Sequence, residues 1–415
     1  MSVSCPVAHD FDPFGAVYLE DPYREFAALR EAAPVHYSPE LDMWLVTRHS
    51  DIEAVFKDPG SFSASIALSP LWPLASEAQR IWTQRLGALP VMSNCDPPTH
   101  TRIRRHNMAT FSARRVEALE PRVRQLATEL IASLPRDGRF DLVPHLTFPL
   151  PGLTIFTLLG FPEEDHAQLK AWSDDRLYLV WGRLGEADQI DVVTRLMDFW
   201  EYCVRHVERR LDEPTDDFTS GLLRVYRDDA AAIDLREIAS VVFGLSFAGH
   251  ETTTNLLSNC IRQLVGRRSI WSQLEREPNL VASAIEEVLR FDSSVICWRR
   301  RAIRDVRVGG VEIPAEARLL LLLGAANHDP RAFEGPTEFR LDRPNATRHL
   351  SFGRGITSAS RTAGADAGQI VIEQLLAQRP GLRIAEDQPL AFPANVSFRG
   401  PKQLFAQSGA VAAVG

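Results

Sequence analysis

Residues 349–369 read HLSFGRGITSASRTAGADAGQ. The stretch begins with a short apolar segment and a glycine-rich loop, Phe352-Gly353-Arg354-Gly355, and a second apolar run starts at its last residue, Gln369. A loop of this composition between two apolar segments indicates a turn that leads into a helix.

The first half of this stretch resembles the haem-binding loop of the cytochrome P450 superfamily, Phe-Gly-x-Gly-x-His-x-Cys-x-Gly, which continues into a helix. The matching residues are Phe352, Gly353 and Gly355. The second half departs from the pattern: Thr357 stands in place of His, Ala359 in place of the iron-ligating Cys, and Arg361 in place of Gly. The thiolate of that Cys donates electron density to the iron for O–O cleavage, and alanine has no donor atom. No metal ligand is therefore expected at this position.

The composition is that of a globular protein. Of 415 residues, 45% are hydrophobic and 24% are charged, and no segment has the composition of a linker. The net charge of -8 and the absence of a long basic run argue against nucleic acid as a partner. The N-terminus, MSVSCPVAHDFDPFG, lacks the apolar core of a signal peptide or membrane anchor. The five cysteines have no paired spacing and predict reduced thiols in a cytoplasmic protein: Cys5, Cys95, Cys203, Cys260 and Cys297.

Helical patterns dominate the sequence from Pro97 onward and predict a mostly α protein with a small β portion. The segment 234–265, apolar on several faces, predicts a long central helix, and its charged residues exclude a membrane span. Residues 58–95, rich in Ser, Pro and Ala, predict either an irregular lid over a pocket or a plain surface loop. Together with the resemblance, these patterns predict one cytochrome P450 domain over residues 1–415.

The predicted central helix contains Ala248-Gly249-His250-Glu251-Thr252-Thr253. A glycine in mid-helix costs up to about 1 kcal/mol relative to alanine, so it indicates a packing or functional reason. Small residues allow a flat ligand to lie against the backbone, and an acid beside a Thr hydroxyl can relay protons. A kinked or capped helix would also account for the pattern. The resemblance implies that Ala248 and Gly249 lie against the haem and that Glu251 and Thr252 deliver protons.

Two further groups of residues match family positions. His100 and Arg104 lie four apart at the start of a helix, so both point the same way and could clamp one anion. The resemblance adds Arg300 and His349 to them as residues that hold the haem propionates; without it, each would be an ordinary surface charge. Glu287 and Arg290 lie three apart on one helix face, and the resemblance implies a buried, structural ion pair rather than a solvated one.

The resemblance covers nearly the whole chain and is strongest to the haem domains of self-sufficient bacterial members, which are fused to a reductase. The chain ends where such a reductase would begin. The resemblance therefore predicts separate electron-transfer proteins, a ferredoxin or flavodoxin with an NAD(P)H reductase. These would dock near a group of arginines that would equally suit a plain soluble surface: Arg102, Arg105, Arg114, Arg115 and Arg354.

The family function is haem-dependent monooxygenation, in which one oxygen atom of O2 enters a small apolar substrate and haem b (iron protoporphyrin) carries the oxygen chemistry. Three hypotheses account for the missing Cys. In the first, small deletions have shifted the reading frame within 357–367. For one choice of codons for Ile356–Ser360, ATC ACT TCT GCC TCG, one C restored after ATC gives Ile-His-Phe-Cys-Leu. Three such losses also remove one residue, and the loop is one residue shorter than the family pattern.

In the second hypothesis the chain is a haem-free auxiliary or binding protein that supports a partner enzyme such as a glycosyltransferase. Such a protein would have little use for Glu251, Thr252 and the propionate-binding residues. In the third, Ser358, Ser360 or water ligates the iron, although a neutral hydroxyl donates far less charge than a thiolate.

Overall fold

A computed structural model of the chain describes residues 7–8, 11–86, 91–111, 113–173, 176–355 and 362–408, without the side chains of 113–118 and 362–364. Its α-helices are α1 (Ala16–Glu20), α2 (Pro22–Ala32), α3 (His49–Lys57), α4 (Ser76–Arg85), α5 (Thr99–Thr110), α6 (Ala113–Ser133), α7 (Pro149–Leu159), α8 (His166–Ser173), α9 (Arg176–Trp181), α10 (Glu186–Asp212), α11 (Phe218–Asp228), α12 (Leu235–Ala248), α13 (Glu251–Val265), α14 (Arg268–Arg276), α15 (Val281–Phe291), α16 (Leu323–Asn327) and α17 (Thr362–Gln378). A π-helical turn spans Val143–Thr147, and 3-10 turns span Glu163–Asp165, Pro278–Leu280 and Ala346–Arg348.

The strands are short and form three small sheets. They are β1 (Val35–Ser38), β2 (Met43–Val46), β3 (Phe62–Ser63), β4 (Arg139–Asp141), β5 (Trp298–Ala302), β6 (Val306–Val308), β7 (Val311–Ile313), β8 (Arg318–Leu321), β9 (Leu382–Ile384) and β10 (Phe405–Ser408). The orders are β1-β2-β8-β5-β3, β4-β10-β9 and β6-β7. In the first sheet β2 and β8 are parallel, and Arg300 on β5 lies opposite Leu319 on β8. The predicted fold class, mostly α with a small β portion, is confirmed.

The prediction that 58–95 is irregular is wrong over part of its length. The segment contains β3 and the ten-residue helix α4. Ala78 of α4 is fully buried, and Arg85 at its end makes ion pairs with Asp198 and Glu201 of α10. Long-range packing against α10 therefore stabilises a helix that its composition did not indicate.

The predicted central helix is divided into α12 and α13 by Gly249 and His250. The Thr252 hydroxyl donates a hydrogen bond to the Ala248 carbonyl oxygen at 2.7 Å, and the His250 amide donates to the Phe247 carbonyl oxygen at 3.3 Å. A Cβ on Gly249 would come within 2.8 Å of the Ile155 side chain, so glycine is required by the close approach of α7.

The two halves of this helix pack into different parts of the core. Val241 and Val242 of α12 belong to an apolar cluster with α7, α10 and α11. Leu257 and Ile261 of α13 belong to a second cluster with α6, α15 and α17. The break at Gly249–His250 consequently lies between two well-packed regions, where the structure opens into a cavity. Among the described residues, no helix combines the length and apolar character needed to cross a bilayer.

Candidate active site

A cavity of about 820 Å³ lies beside the break between α12 and α13. Most of its wall is apolar, and its size is in the range of small-molecule and cofactor sites. Residues of many helices, of strand β5 and of the glycine-rich loop line it, among them Leu150, Ile155, Leu177, Val241, Leu245, Ala248, Gly249, Glu251, Thr252, Leu289, Phe352 and Gly353. Four of the predicted site residues on the central helix therefore share one cavity wall.

One end of the cavity is cationic. Arg104 on α5 and Arg300 on β5 both line it. Burial is the only cause that lowers the pKa of Arg104, and no carboxylate of the described residues pairs with it. Burial lowers the pKa of Arg300 to about 10, with Asp96 acting in the opposite direction, so its guanidinium also remains a cation at neutral pH. The Arg300 guanidinium carbon lies 5.0 Å from the centre of the Phe56 ring.

His100 lies behind this end, one helical turn before Arg104. It is 1% exposed, and neither ring nitrogen has a hydrogen-bond partner within the described part of the chain. Burial lowers its pKa, and the charges of Arg104 and Arg300 lower it further, whereas Asp96 raises it. Two cations and an unsatisfied buried imidazole thus converge on one place, an arrangement that an anionic group would satisfy.

His349 takes a different position from the other predicted propionate residues. Its Nε2 lies 3.2 Å from Glu286 Oε2, and its Nδ1 accepts a hydrogen bond from the Ser351 amide. It lies outside the set of residues that line the cavity, as His100 does. Its ring packs 5.7 Å from the ring of Phe352, which does line the cavity.

The glycine-rich loop is described as far as Gly355. Gly353 and Gly355 both have positive φ angles, +70° and +72°. A Cβ on Gly355 would lie 2.6 Å from the Phe56 carbonyl oxygen, so both the backbone conformation and the space at this position require glycine. Ala359 and the other residues in which the sequence departs from the family pattern, 356–361, lie outside the described residues.

Glu287 and Arg290 lie in the core beside the site, with both side chains 0% exposed. Their two hydrogen bonds are 2.8 and 2.9 Å long, and Arg290 also donates to the carbonyl oxygens of Asn327 and Pro336. Arg343 is a third member that the sequence analysis did not single out; its Nε lies 3.0 Å from both Glu287 carboxylate oxygens. The network joins α15 to the segment that precedes the glycine-rich loop.

Comparisons with known proteins assign the chain to a protein family. The cytochrome P450 family model matches residues 184–358. Cytochrome P450 107B1 of Saccharopolyspora erythraea is 33% identical over 97% of this chain and 98% of its own length. The chain belongs to the cytochrome P450 family.

Solved structures agree with this assignment. Cytochrome P450 CREJ, in complex with (4-ethylphenyl) dihydrogen phosphate, superposes with a TM-score of 0.92 at 34% identity over 97% of this chain and all of its own. An intact type IV self-sufficient cytochrome P450 monooxygenase superposes with a TM-score of 0.93 at 32% identity, over 98% of this chain and 54% of that longer one. Family members are monooxygenases that bind haem b through a cysteine thiolate and use redox partners, some of them fused reductase domains.

The residues of the cavity fit the haem in two respects and not in a third. The apolar walls and the small residues Ala248 and Gly249 suit a flat macrocycle, and the cationic end suits its two carboxylates. The described residues supply no axial thiolate, since none of their four cysteines lines the cavity, and Ala359 has no donor atom. In the described part of the chain no cluster of three or more His, Cys, Asp or Glu side chains could hold a metal ion.

Three charged residues of the cavity wall were missed by the sequence analysis: Glu120, which pairs with Arg124, and two residues without such a partner. Arg176 of α9 lies over the rings of Phe243 and Phe247, and Asp366 of α17 faces the apolar wall without a cationic partner among the described residues. Burial raises the pKa of Asp366, and Glu120 raises it further. Neither residue belongs to a motif, and only the packing of α9 and α17 against the cavity reveals them.

Proposed function

We propose that this chain is a haem-dependent monooxygenase of small apolar substrates whose ligand loop has been altered, so that the protein with Ala359 does not form a thiolate-ligated haem. The observation that carries the proposal is the apolar cavity with Arg104, Arg300 and the unsatisfied His100 at one end. No carboxylate of the described residues pairs with Arg104, and neither ring nitrogen of His100 has a hydrogen-bond partner among them; a dicarboxylate macrocycle would supply an anionic partner.

The roles of the other residues follow from their positions. Haem, when bound through a thiolate, would supply the activation of O2. Ala248 and Gly249 would leave room for its flat face, and Phe352, Gly353 and Gly355 would shape the loop on the other side. Thr252 holds its hydroxyl on the Ala248 carbonyl oxygen, and the Glu251 carboxylate, which accepts a 3.3 Å hydrogen bond from Asn255, lines the same wall. We assign the transfer of protons into the cavity to these two side chains.

We further propose that small deletions within 357–367 produced the altered loop. The match to the family model ends at residue 358, one residue before Ala359. Asp366 is an unpaired acid in an apolar wall, which is locally inconsistent with the surrounding packing, whereas Ile370, Val371 and Leu375 just beyond it are buried as a core helix requires. In the restored frame, methionine would stand in place of Asp366. The inconsistency is thus confined to the segment that the frame shift would replace.

A haem-free auxiliary protein is the second candidate. The observation that favours it is Ala359 itself, together with the absence of a cavity-lining cysteine in the described residues. It gives no role to the cationic end of the cavity, where no carboxylate of the described residues pairs with Arg104.

For the intact system we propose a single domain over residues 1–415 in the cytoplasm, reduced by a separate ferredoxin or flavodoxin and an NAD(P)H reductase. The relatives support the first point, since cytochrome P450 107B1 is matched over 98% of its own length. In the proposed docking patch, Arg102 is paired with Glu237, so part of its charge is already neutralised.

The test compares the chain as given with a variant in which residues 357–367 are replaced by HFCLADRLARMA. Haem content and the carbon-monoxide difference band are measured for both after purification. We expect the variant to take up haem and show the band of a thiolate-ligated haem, and the chain as given to lack that band. A band from the chain as given would overturn the altered-loop proposal, and so would a folded variant that takes up no haem.

Two further measurements separate the alternatives. Independent sequencing of the coding DNA from Leu350 to Leu375 decides whether the altered loop is in the gene. Haem bound by the chain as given without the thiolate band would indicate a substitute ligand such as Ser358 or Ser360. A gene that encodes Ala359, in a folded protein that binds no haem even with the replaced loop, would favour the auxiliary function.

A further inference from the structure

Arg176 is an arginine inside the cavity that none of the assigned roles uses. It is the first residue of α9, and it lines the cavity with Leu177, Val180 and Trp181 of the same helix. The cationic end described above is built from α5 and β5, so Arg176 belongs to a different wall. It faces α12, in the half of the central helix that precedes Gly249.

Aromatic rings hold its guanidinium in place. The guanidinium carbon lies 4.3 Å from the centre of the Phe247 ring and 5.3 Å from that of Phe243. Those two rings pack edge to face at 5.0 Å, and both also contact Phe199 of α10. A guanidinium stacked on fixed rings has little freedom to point elsewhere. Its N–H groups remain directed outward around its edge.

No acid of the described residues compensates this charge. Neither an ion pair nor a hydrogen bond to Arg176 is found there, and burial is the only cause that lowers its pKa, to about 10. It is therefore a cation at neutral pH. Two other buried arginines have acceptors: Arg300 donates to the Arg299 carbonyl oxygen, and Arg290 to Glu287. An unpaired cation in an apolar cavity is costly unless an anion from outside meets it.

The position of Arg176 relative to the proton-delivery residues suits a substrate contact. Phe247 immediately precedes Ala248 and lies five residues before Thr252, a rise of about 7.5 Å for regular helix, with the break at Gly249–His250 between them. A ligand whose charged end met Arg176 would lie along Gly244 and Ala248, and its apolar body would extend towards Thr252. Gly244 and Leu245 line this path.

We propose that Arg176 is a specificity-determining residue that receives the anionic end of an amphipathic substrate, an apolar body that carries a carboxylate or a phosphate monoester. This inference rests on the proposed function, which places substrate in the same cavity, and it narrows the substrate from apolar to apolar with one anionic end. The guanidinium fork matches both carboxylate and phosphate, so the two sources are separated by experiment.

The experiment measures ligand affinity by calorimetry on the full-length chain, in its haem state as purified. Two pairs of probes differ only in charge: decanoate against decyl alcohol, and para-butylphenyl phosphate against para-butylphenol. We expect at least one anionic probe to bind about tenfold or more tightly than its neutral counterpart, the size of one charge-assisted contact. Arg176→Met should abolish that preference while the neutral probe still binds, and Arg176→Lys should restore part of it.

Two control variants locate the effect. Arg183 also lies over aromatic rings, Trp72 at 4.7 Å and Phe14 at 5.4 Å, but it is paired with Glu40 on the surface. Arg183→Met should therefore change the affinity for neither the anionic nor the neutral probes. Arg104→Met tests the other cationic end of the cavity. Loss of the preference in Arg104→Met but not in Arg176→Met would overturn the proposal, as would a preference that survives Arg176→Met or the failure of both anionic probes to bind.

The haem content of each sample, read from its absorbance, separates this inference from the proposed function. A haem-loaded chain without any preference for anionic probes overturns the assignment of Arg176 alone. A chain that binds no haem even with the replaced loop, but shows a preference that depends on Arg176, supports the assignment and counts against the monooxygenase.

Discussion

Replacement of Glu287 by Gln is expected to destabilise the protein strongly, because Glu287 is the one carboxylate of the described residues that contacts the buried guanidinium groups of Arg290 and Arg343. The Glu287 carboxylate accepts hydrogen bonds from Arg290, from Arg343 and from the Arg340 amide, and the side chains of Glu287 and Arg290 are 0% exposed. Glutamine preserves the shape but leaves Arg290 and Arg343 uncompensated. Breaking a buried pair in this way costs about 3–5 kcal/mol.

The assay is thermal unfolding followed by calorimetry. For 415 residues the unfolding entropy is roughly 0.9 kcal/mol per degree, so the expected loss corresponds to a fall in Tm of about 3–6 °C. Glu77→Gln is the matched control, since Glu77 also pairs with an arginine three residues later, Arg80, through two hydrogen bonds. That pair is 45% and 55% exposed, so its replacement should leave Tm unchanged within error. Equal Tm values for the two variants would refute the view that burial gives the Glu287 network its importance.

Three further outcomes are expected. Gly355→Ala should destabilise the chain more than Gly310→Ala, because both glycines have positive φ but only at Gly355 would a Cβ meet a backbone atom, the Phe56 oxygen at 2.6 Å; chemical denaturation of the two variants tests this. Burial lowers the pKa of His206 from 6.5 to about 4, so the folded state holds the imidazole neutral, and its contribution to the free energy of unfolding falls as pH drops through that window. From about pH 7.5 to about pH 5 that loss is about 2 kcal/mol. His206→Gln should therefore reduce the acid-induced loss of unfolding free energy by that amount, which the dependence of Tm on pH measures. Burial raises the pKa of the Cys203, Cys260 and Cys297 thiols, so a thiol reagent should leave them unmodified in the native protein and label them at the rate of unfolding; rapid native labelling of Cys297 would contradict its burial.

Much of the fold can be predicted from local patterns in the sequence. Apolar periods and turn residues in the sequence predict a helix over 49–57 and strands over 306–308 and 311–313, and these are the observed bounds of α3, β6 and β7. Helix α4 was missed because its stability depends on Arg85 and the α10 carboxylates, more than a hundred residues away. The break at Gly249–His250 was anticipated only as an alternative, since a mid-helix glycine has the same appearance whether the helix bends or continues.

The candidate site divides in the same way. Motif matching brought Arg104, Arg300, Ala248, Gly249, Glu251, Thr252 and Phe352 to one cavity, and it placed Glu287 beside Arg290. It could not show that His349 faces Glu286, because pairing across elements leaves no trace in spacing. Arg176 and Asp366 could not be identified from the sequence for the same reason. A single charged residue in a helical segment is predicted to be exposed, and only the packing of the helix shows that it lies unpaired in an apolar wall.

The fold and the chemistry of this chain depend on different residues, and the two can therefore be lost separately. The Ser351 hydroxyl donates a hydrogen bond to the Leu289 carbonyl oxygen, Gly355 lies against the Phe56 backbone, and the buried face of α17 packs into the cluster that contains α13 and α15. None of these contacts involves position 359, so a chain with alanine there can keep its core, its cavity and its cationic end. The thiolate contributes through the iron alone. The chain as given should consequently fold without a thiolate-ligated haem, whereas the chain with the replaced loop should both fold and ligate haem. A loop replacement that changed the Tm together with the haem content would show that folding and haem ligation are coupled.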